Sequence, residues 1–195
     1  MKQYIHGTSY ESAMNILQNG FMDTAKIWDC SMPGIMYFRE LPSETEDNYE
    51  DSRSDAYFTA ITNGQIAAAY TDSHNTRIGI VVLTMSDELA DDIVECDISC
   101  ENANDCYQID IDELNKYVNS GDITAKIEIY ANAYIPYIRP FYLLNSNDNK
   151  YMSIPDKTLE NVIDILNRQD ANCIDIILDN MGELDDEFTI APKGV

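Results

Sequence analysis

The sequence predicts an α+β fold around a mostly antiparallel β-sheet with short flanking helices. Three observations predict it. Apolar runs of strand length outnumber helical patterns, the helical patterns are short, and no strand–helix–strand alternation opens on a glycine-rich turn. The last of these excludes the usual dinucleotide-binding βαβ unit, so a dinucleotide would have to be held in another way.

The elements follow in chain order. Gln3 to His6 reads as a strand, and Ser9 as the cap of a helix over Tyr10 to Leu17. That helix has apolar Ala13, Ile16 and Leu17, acidic Glu11 in its first turn, and Gly20 as a C-terminal stop. Gly34 to Phe38 (GIMYF) reads as a strand, and the polar, acidic stretch from Leu41 to Asp55 as a loop. Ala56 to Thr59 reads as a strand end, Gly64 to Tyr70 as a helix, and Ile78 to Leu83 as a central strand. Ile109 to Val118 predicts a helix, whereas Ala125 to Tyr130 and Phe141 to Leu144 predict strands. Thr158 to Leu166 is amphipathic with helical spacing. Cys173 to Leu178 and Phe188 to Ile190 suit short strands or a helix plus an extension. There is no internal repeat and no Gly/Ser linker.

Bulk properties narrow the function. The chain has 195 residues and 45% hydrophobic content, enough for one domain with a real core. No apolar run approaches the roughly 20 residues that cross a bilayer, and the N-terminus shows no signal-peptide pattern. A cytoplasmic protein away from membranes is expected. Twelve Lys+Arg against 35 Asp+Glu give a net charge of −23 and a sequence pI near 4.1. Such a chain repels nucleic-acid phosphates and suits a basic partner or an acidic, solvated surface. Five cysteines without an export signal predict reduced thiols. Cys96, Cys100 and Cys106 lack a fourth ligand and a nearby histidine, so no metal site is expected.

Three segments carry chemistry. The first is YIHGTS, where a strand ends in His6-Gly7-Thr8 before a helix that runs to Gly20-Phe21. The second is AYFT with Tyr57, then AAAY with Tyr70, then the apolar strand IGIVVL. The third is AKIEIY, with Glu128 inside a strand, followed by Pro140-Phe141-Tyr142-Leu143. In that strand, period-two alternation sets Ile127 and Ile129 on one face and Lys126, Glu128 and Tyr130 on the other. In this order the segments resemble the H-Y-E branch of the ADP-ribosyltransferase superfamily, which includes poly(ADP-ribose) polymerases and diphtheria toxin. The resemblance spans Tyr4 to Leu144. It departs at Asp55-Ala56, where the family has a glycine before the first tyrosine, and at Ala67, where it often has a serine. GIMYF offers Tyr37 as a competing first tyrosine; Tyr57 is preferred for its spacing to Tyr70 and IGIVVL.

The resemblance implies a split, mostly antiparallel sheet and a catalytic domain over residues 1–144. Residues 145–195 would form a helix-plus-strand extension packed on the same domain. It implies NAD as substrate and mono-ADP-ribosyl transfer to a macromolecular acceptor, a protein for a chain this acidic, with nicotinamide released. Gly7 would bind the carboxamide through its backbone, His6 the ribose hydroxyls, with Thr8 or Ser9 assisting. Tyr57 and Tyr70 would sandwich the nicotinamide; Arg77 and Arg139 suit either the phosphates or surface salt bridges. Glu128 would be the catalytic carboxylate: it would bind the 2′-hydroxyl, stabilise the oxocarbenium-like cation and help deprotonate the acceptor. Two alternatives stand beside this. One is a non-catalytic acidic binder or inhibitor on the same fold; the other is an RNA 2′-phosphotransferase, disfavoured by the scarcity of basic residues.

Overall fold

The computed structural model describes residues 1–22, 33–70, 77–96, 107–131 and 184–193. These form seven strands and four helices: β1 (Lys2–Ser9), α1 (Tyr10–Asn19), β2 (Ile35–Leu41), α2 (Tyr49–Tyr70), β3 (Arg77–Met85), α3 (Asp87–Ile93), β4 (Glu95–Cys96), β5 (Tyr107–Asp110), α4 (Ile111–Ser120), β6 (Thr124–Ala131) and β7 (Leu184–Thr189). The strands build one sheet in the order β4-β5-β2-β1-β3-β6-β7, with every neighbouring pair antiparallel. The fold is α+β, as the sequence predicts. The expected elements over Phe141–Leu144, Thr158–Leu166 and Cys173–Leu178 lie outside the described residues, as do Arg139 and most of the 145–195 extension. The extension's last described part, β7, pairs with β6.

Helix ends follow their caps. The Ser9 side chain accepts from the Ser12 amide, and Gly20 with φ 84° ends α1. Asp110 caps α4 by accepting from the Asp112 and Glu113 amides, and Gly121 ends it in the left-handed region at φ 87°. The helix expected from Ile109 therefore starts at Ile111, because Tyr107–Asp110 pairs with β2 as β5. Ser86 caps α3 by accepting from the Leu89 amide, with Asp87 and Glu88 in its first turn.

Two expectations fail at α2. Ala56–Thr59 is not a strand end, and the polar stretch from Leu41 is a loop only as far as Asn48. A turn at Ser43–Glu46 leads into the helix, and the Asn48 carbonyl accepts the first helical bond from Ser52. The physical reason is a ridge of small residues. Ala56, Ala60, Gly64 and Ala68 recur every fourth position, so one stripe of α2 is flat and packs closely on the sheet. At Gly7 the approach is so tight that a Cβ would lie 1.5 Å from the Ala60 carbonyl oxygen. A helix buried through alanine and glycine shows no bulky apolar period, and its charged residues are confined to its first two turns, Glu50 to Asp55.

The sheet has two unlike faces. Tyr4, Val81, Leu83, Ile127 and Ile129 belong to a large apolar core shared with α1 and α4. On the other face, under α2, Ile5, Ile78, Ile80 and Val82 join the alanines in a smaller core.

Candidate active site

The registers determine which site residues share a face. Gly7 pairs with Ile80, and Ile80 pairs with Glu128. Gly7, Ile80 and Glu128 therefore form one row across β1, β3 and β6 on the α2 face. His6 pairs with Val81 and its ring lies 5.7 Å from that of Phe38, on the apolar face. The structure therefore does not bring the His6 side chain to Glu128.

Glu128 is 6% exposed, and both of its carboxylate oxygens have partners. Oε2 accepts from the Tyr130 hydroxyl at 2.8 Å and from the Tyr57 hydroxyl at 3.3 Å. Oε1 faces the Lys126 ammonium at 3.1 Å, which also pairs with Glu187 at 2.6 Å. Burial of a carboxylate is tolerated when charge and hydrogen bonds compensate it, and here both do. The hydrogen bond to Glu187 leads the causes that raise the Lys126 pKa, so its ammonium stays charged. Burial, with the Glu128 charge behind it, pushes the Tyr57 hydroxyl up to about 12 and the Tyr130 hydroxyl higher as well. Both tyrosines are thus protonated donors at neutral pH.

Tyr57 reaches Glu128 from the middle of α2. Arg53, one turn earlier, donates to the Tyr57 hydroxyl at 3.4 Å and lies 5.0 Å from its ring centroid. Arg53 also donates to the Tyr49 hydroxyl at 3.3 Å. The expected Tyr57–Tyr70 sandwich is not possible. Both residues lie on one continuous helix, and thirteen residues at 1.5 Å each set their backbones about 20 Å apart along its axis. The Tyr70 side chain lies outside the described ones. The tyrosine on a strand ahead of this helix is Tyr37, in GIMYF, which forms β2; Tyr57 is helical. The preference for Tyr57 as the strand-borne tyrosine is thereby corrected.

His6 marks a split. β2 pairs with β1 only through Arg39–Leu41, and its first half, Ile35–Phe38, pairs with β5. Where the strands part, His6 Nδ1 lies 2.8 Å from the Tyr37 carbonyl oxygen. A carbonyl only accepts, so Nδ1 carries the proton and Nε2 is the acceptor. Burial lowers the pKa of His6, against the raising effect of that hydrogen bond, and keeps the ring neutral. Beyond Ile5, β1 is paired with β3 alone, so among the described residues its β2-facing edge at Gly7 and Thr8 has no strand partner. Thr8 is 7% exposed.

Other expectations fall elsewhere. Arg77 pairs with Asp185 at 3.3 Å and lies over the Tyr10 ring at 4.1 Å. Cys96 is exposed on β4, and Cys100 and Cys106 lie outside the described residues. Among the described residues no group of three His, Cys, Asp or Glu side chains could hold a metal ion, and no helix is long and apolar enough to cross a membrane. A cleft of about 350 Å³ between Arg39 and Tyr107 shares no lining residue with the Glu128 cluster. Its Arg39 is already tied to Asp55 and Thr59.

No family model, no curated protein and no solved structure matches the chain. The sequence missed Arg53 and the Tyr57–Glu128 contact, which spans 71 positions; local patterns carry no signal for such a pair.

Proposed function

We propose that the chain is an NAD-dependent mono-ADP-ribosyltransferase with Glu128 as its catalytic carboxylate. The observation that carries this reading is the single row Gly7–Ile80–Glu128, with the buried carboxylate two strands from a glycine beside a split in the sheet. The chain order adds to it: a tyrosine strand (β2), a helix ending in a second tyrosine (α2) and an apolar strand (β3) separate the His6-Gly7 strand from the Glu128 strand.

The chemistry suits these groups. Cleavage of the C1′–N bond releases neutral nicotinamide and leaves an oxocarbenium-like cation on the ribose. A fixed carboxylate stabilises that cation more than it does the ground state. The acceptor's nucleophile then bonds to C1′, and its proton passes to Glu128 and on to solvent. The β2-facing edge of Gly7 offers backbone groups to the carboxamide, while His6, on the opposite face from Glu128, bonds the Tyr37 carbonyl at the split rather than a ribose hydroxyl beside Glu128. Tyr37, the tyrosine on the strand ahead of α2, takes the stacking role that the helical Tyr57 was expected to fill. A protein acceptor, basic to match the −23 charge, and a cytoplasmic setting complete the reading.

A second reading has an observation of its own. The α2 backbone presses on Gly7, and Glu128 has its donors supplied from within, which suits a non-catalytic acidic binding or inhibitor protein. An RNA 2′-phosphotransferase is disfavoured because carboxylates already pair with Lys2, Arg39, Arg77 and Lys126. Nicotinamide release from NAD separates the first two. Wild type should release it, and Glu128→Gln should lose on the order of 10²–10³ of the rate with NAD affinity nearly kept. Equal, background-level release by both proteins removes the transferase reading and leaves the binder. Tyr37→Ala should raise the KM for NAD by loss of stacking.

A further inference from the structure

The two tyrosine hydroxyls on Glu128 Oε2 are not equivalent. Tyr130 comes from the same strand, two residues along, at the 2.8 Å typical of a good hydroxyl–carboxylate bond. Tyr57 comes from α2 at 3.3 Å, half an ångström longer, and is shared with Arg53 at 3.4 Å. Its hydroxyl sits between a carboxylate and a guanidinium and is held closely by neither. Among the described residues no carboxylate pairs with Arg53, so losing the Glu128 contact would still leave Tyr57 with a partner. Glu128, by contrast, is buried and needs a donor at that lone pair.

We infer that Tyr57 holds the place of a substrate hydroxyl on Glu128, and that a ribose hydroxyl displaces it when the dinucleotide binds. The inference rests on the transferase reading. The position takes a neutral hydroxyl donor because Tyr130 fills the other lone pair of Oε2 and the Lys126 ammonium already supplies the positive charge at Oε1. A sugar diol offers such a donor. On displacement the Tyr57 hydroxyl keeps its bond from Arg53, so neither of the two groups is stranded. Tyr57 is thus a positioning residue, and its removal should help the ligand.

The test uses the full chain and two ligands with an intact ribose, NAD and ADP-ribose, with affinity measured by calorimetry. Tyr57→Phe keeps the ring packing and the contact with the Arg53 face but removes the hydroxyl. It should bind both ligands about five-fold more tightly, the equivalent of one long hydrogen bond that no longer has to be broken. Tyr130→Phe should weaken binding by a similar factor, because its hydroxyl orients the carboxylate. Unchanged or weaker binding by Tyr57→Phe, or no binding by either protein, overturns the inference. A 3-fluorotyrosine at position 57 in the otherwise unaltered chain gives a second readout. Its ¹⁹F resonance should move on addition of ADP-ribose and saturate with binding, and a resonance that stays put while ligand binds overturns the inference even if Tyr57→Phe does not fold. Failure of the transferase reading shows separately, as equal nicotinamide release by wild type and Glu128→Gln.

Discussion

The two faces of one sheet use the same strands for different ends. On the face covered by α1 and α4, strand residues such as Leu83, Ile127 and Ile129 are fully buried among other apolar side chains. On the face covered by α2, β1 and β3 still present isoleucines and Val82, but β6 presents Lys126, Glu128 and Tyr130, and the covering helix supplies small residues, Ile61 and two polar reaches, Arg53 and Tyr57. The first face holds the fold by area removed from water. The second gives up some of that area to keep a carboxylate in a dry, fixed setting, the condition under which a charge can act most strongly on a reacting centre.

Substitutions that treat the faces differently test this contrast. Gly7→Val should have the largest effect. Even one added carbon would sit 1.5 Å from the Ala60 carbonyl oxygen, and backbone cannot yield by that much, so α2 must lift off β1. We expect a loss beyond about 4 kcal/mol and no cooperative melt near the wild-type temperature. A near-normal thermal transition would mean that α2 is not seated on β1.

The next test pairs adjacent residues on opposite faces. Ile127→Ala should cost about 2–5 kcal/mol in chemical denaturation through the cavity it opens. Glu128→Gln should cost about 1–2 kcal/mol: the amide oxygen still accepts from Tyr57 and Tyr130 and Lys126 keeps Glu187, but the amide NH2 then faces the Lys126 ammonium, donor against donor. If the two losses are equal, the α2 face is as much a packing face as its opposite.

Asn115 is a polar exception on the apolar side. Its side chain accepts from the Phe21 amide at 2.9 Å and donates to the Phe21 carbonyl at 2.7 Å, fastening α4 to the end of α1. Asn115→Ala should cost about 1–2 kcal/mol by stranding both backbone groups, and an unchanged denaturation midpoint would remove that clamp from the account.

The smallest effect concerns His6 and pH. The folded pKa is lowered, chiefly by burial, so protons favour the unfolded chain, whose histidine titrates near 6.5. Its contribution is fully present above about pH 6.5 and is lost progressively as pH falls toward the folded pKa. His6→Gln should flatten the stability profile just below that pH relative to wild type. An identical slope in the two proteins would mean that the ring is not held neutral.

Sequence alone determined the α+β class, the strand carrying Ile78–Leu83, the Ser9 and Gly20 helix boundaries, and the alternation that separates Glu128 from Ile127 and Ile129. These are local properties: capping, turn stereochemistry and a period of two are written in neighbouring residues. It did not reveal α2 from Tyr49, because a helix buried through Ala56, Ala60, Gly64 and Ala68 leaves no bulky apolar period. Nor did it separate Tyr37 from Tyr57, since both sit beside phenylalanine in short apolar stretches. Only the tertiary structure decided that His6 and Glu128 occupy opposite faces, because that depends on the register of β1, β3 and β6 rather than on any one strand. It also decided that Tyr57 meets Glu128. Contacts across that many residues are set by how a helix crosses a sheet, and the close approach of Ala60 to Gly7 determines where it crosses.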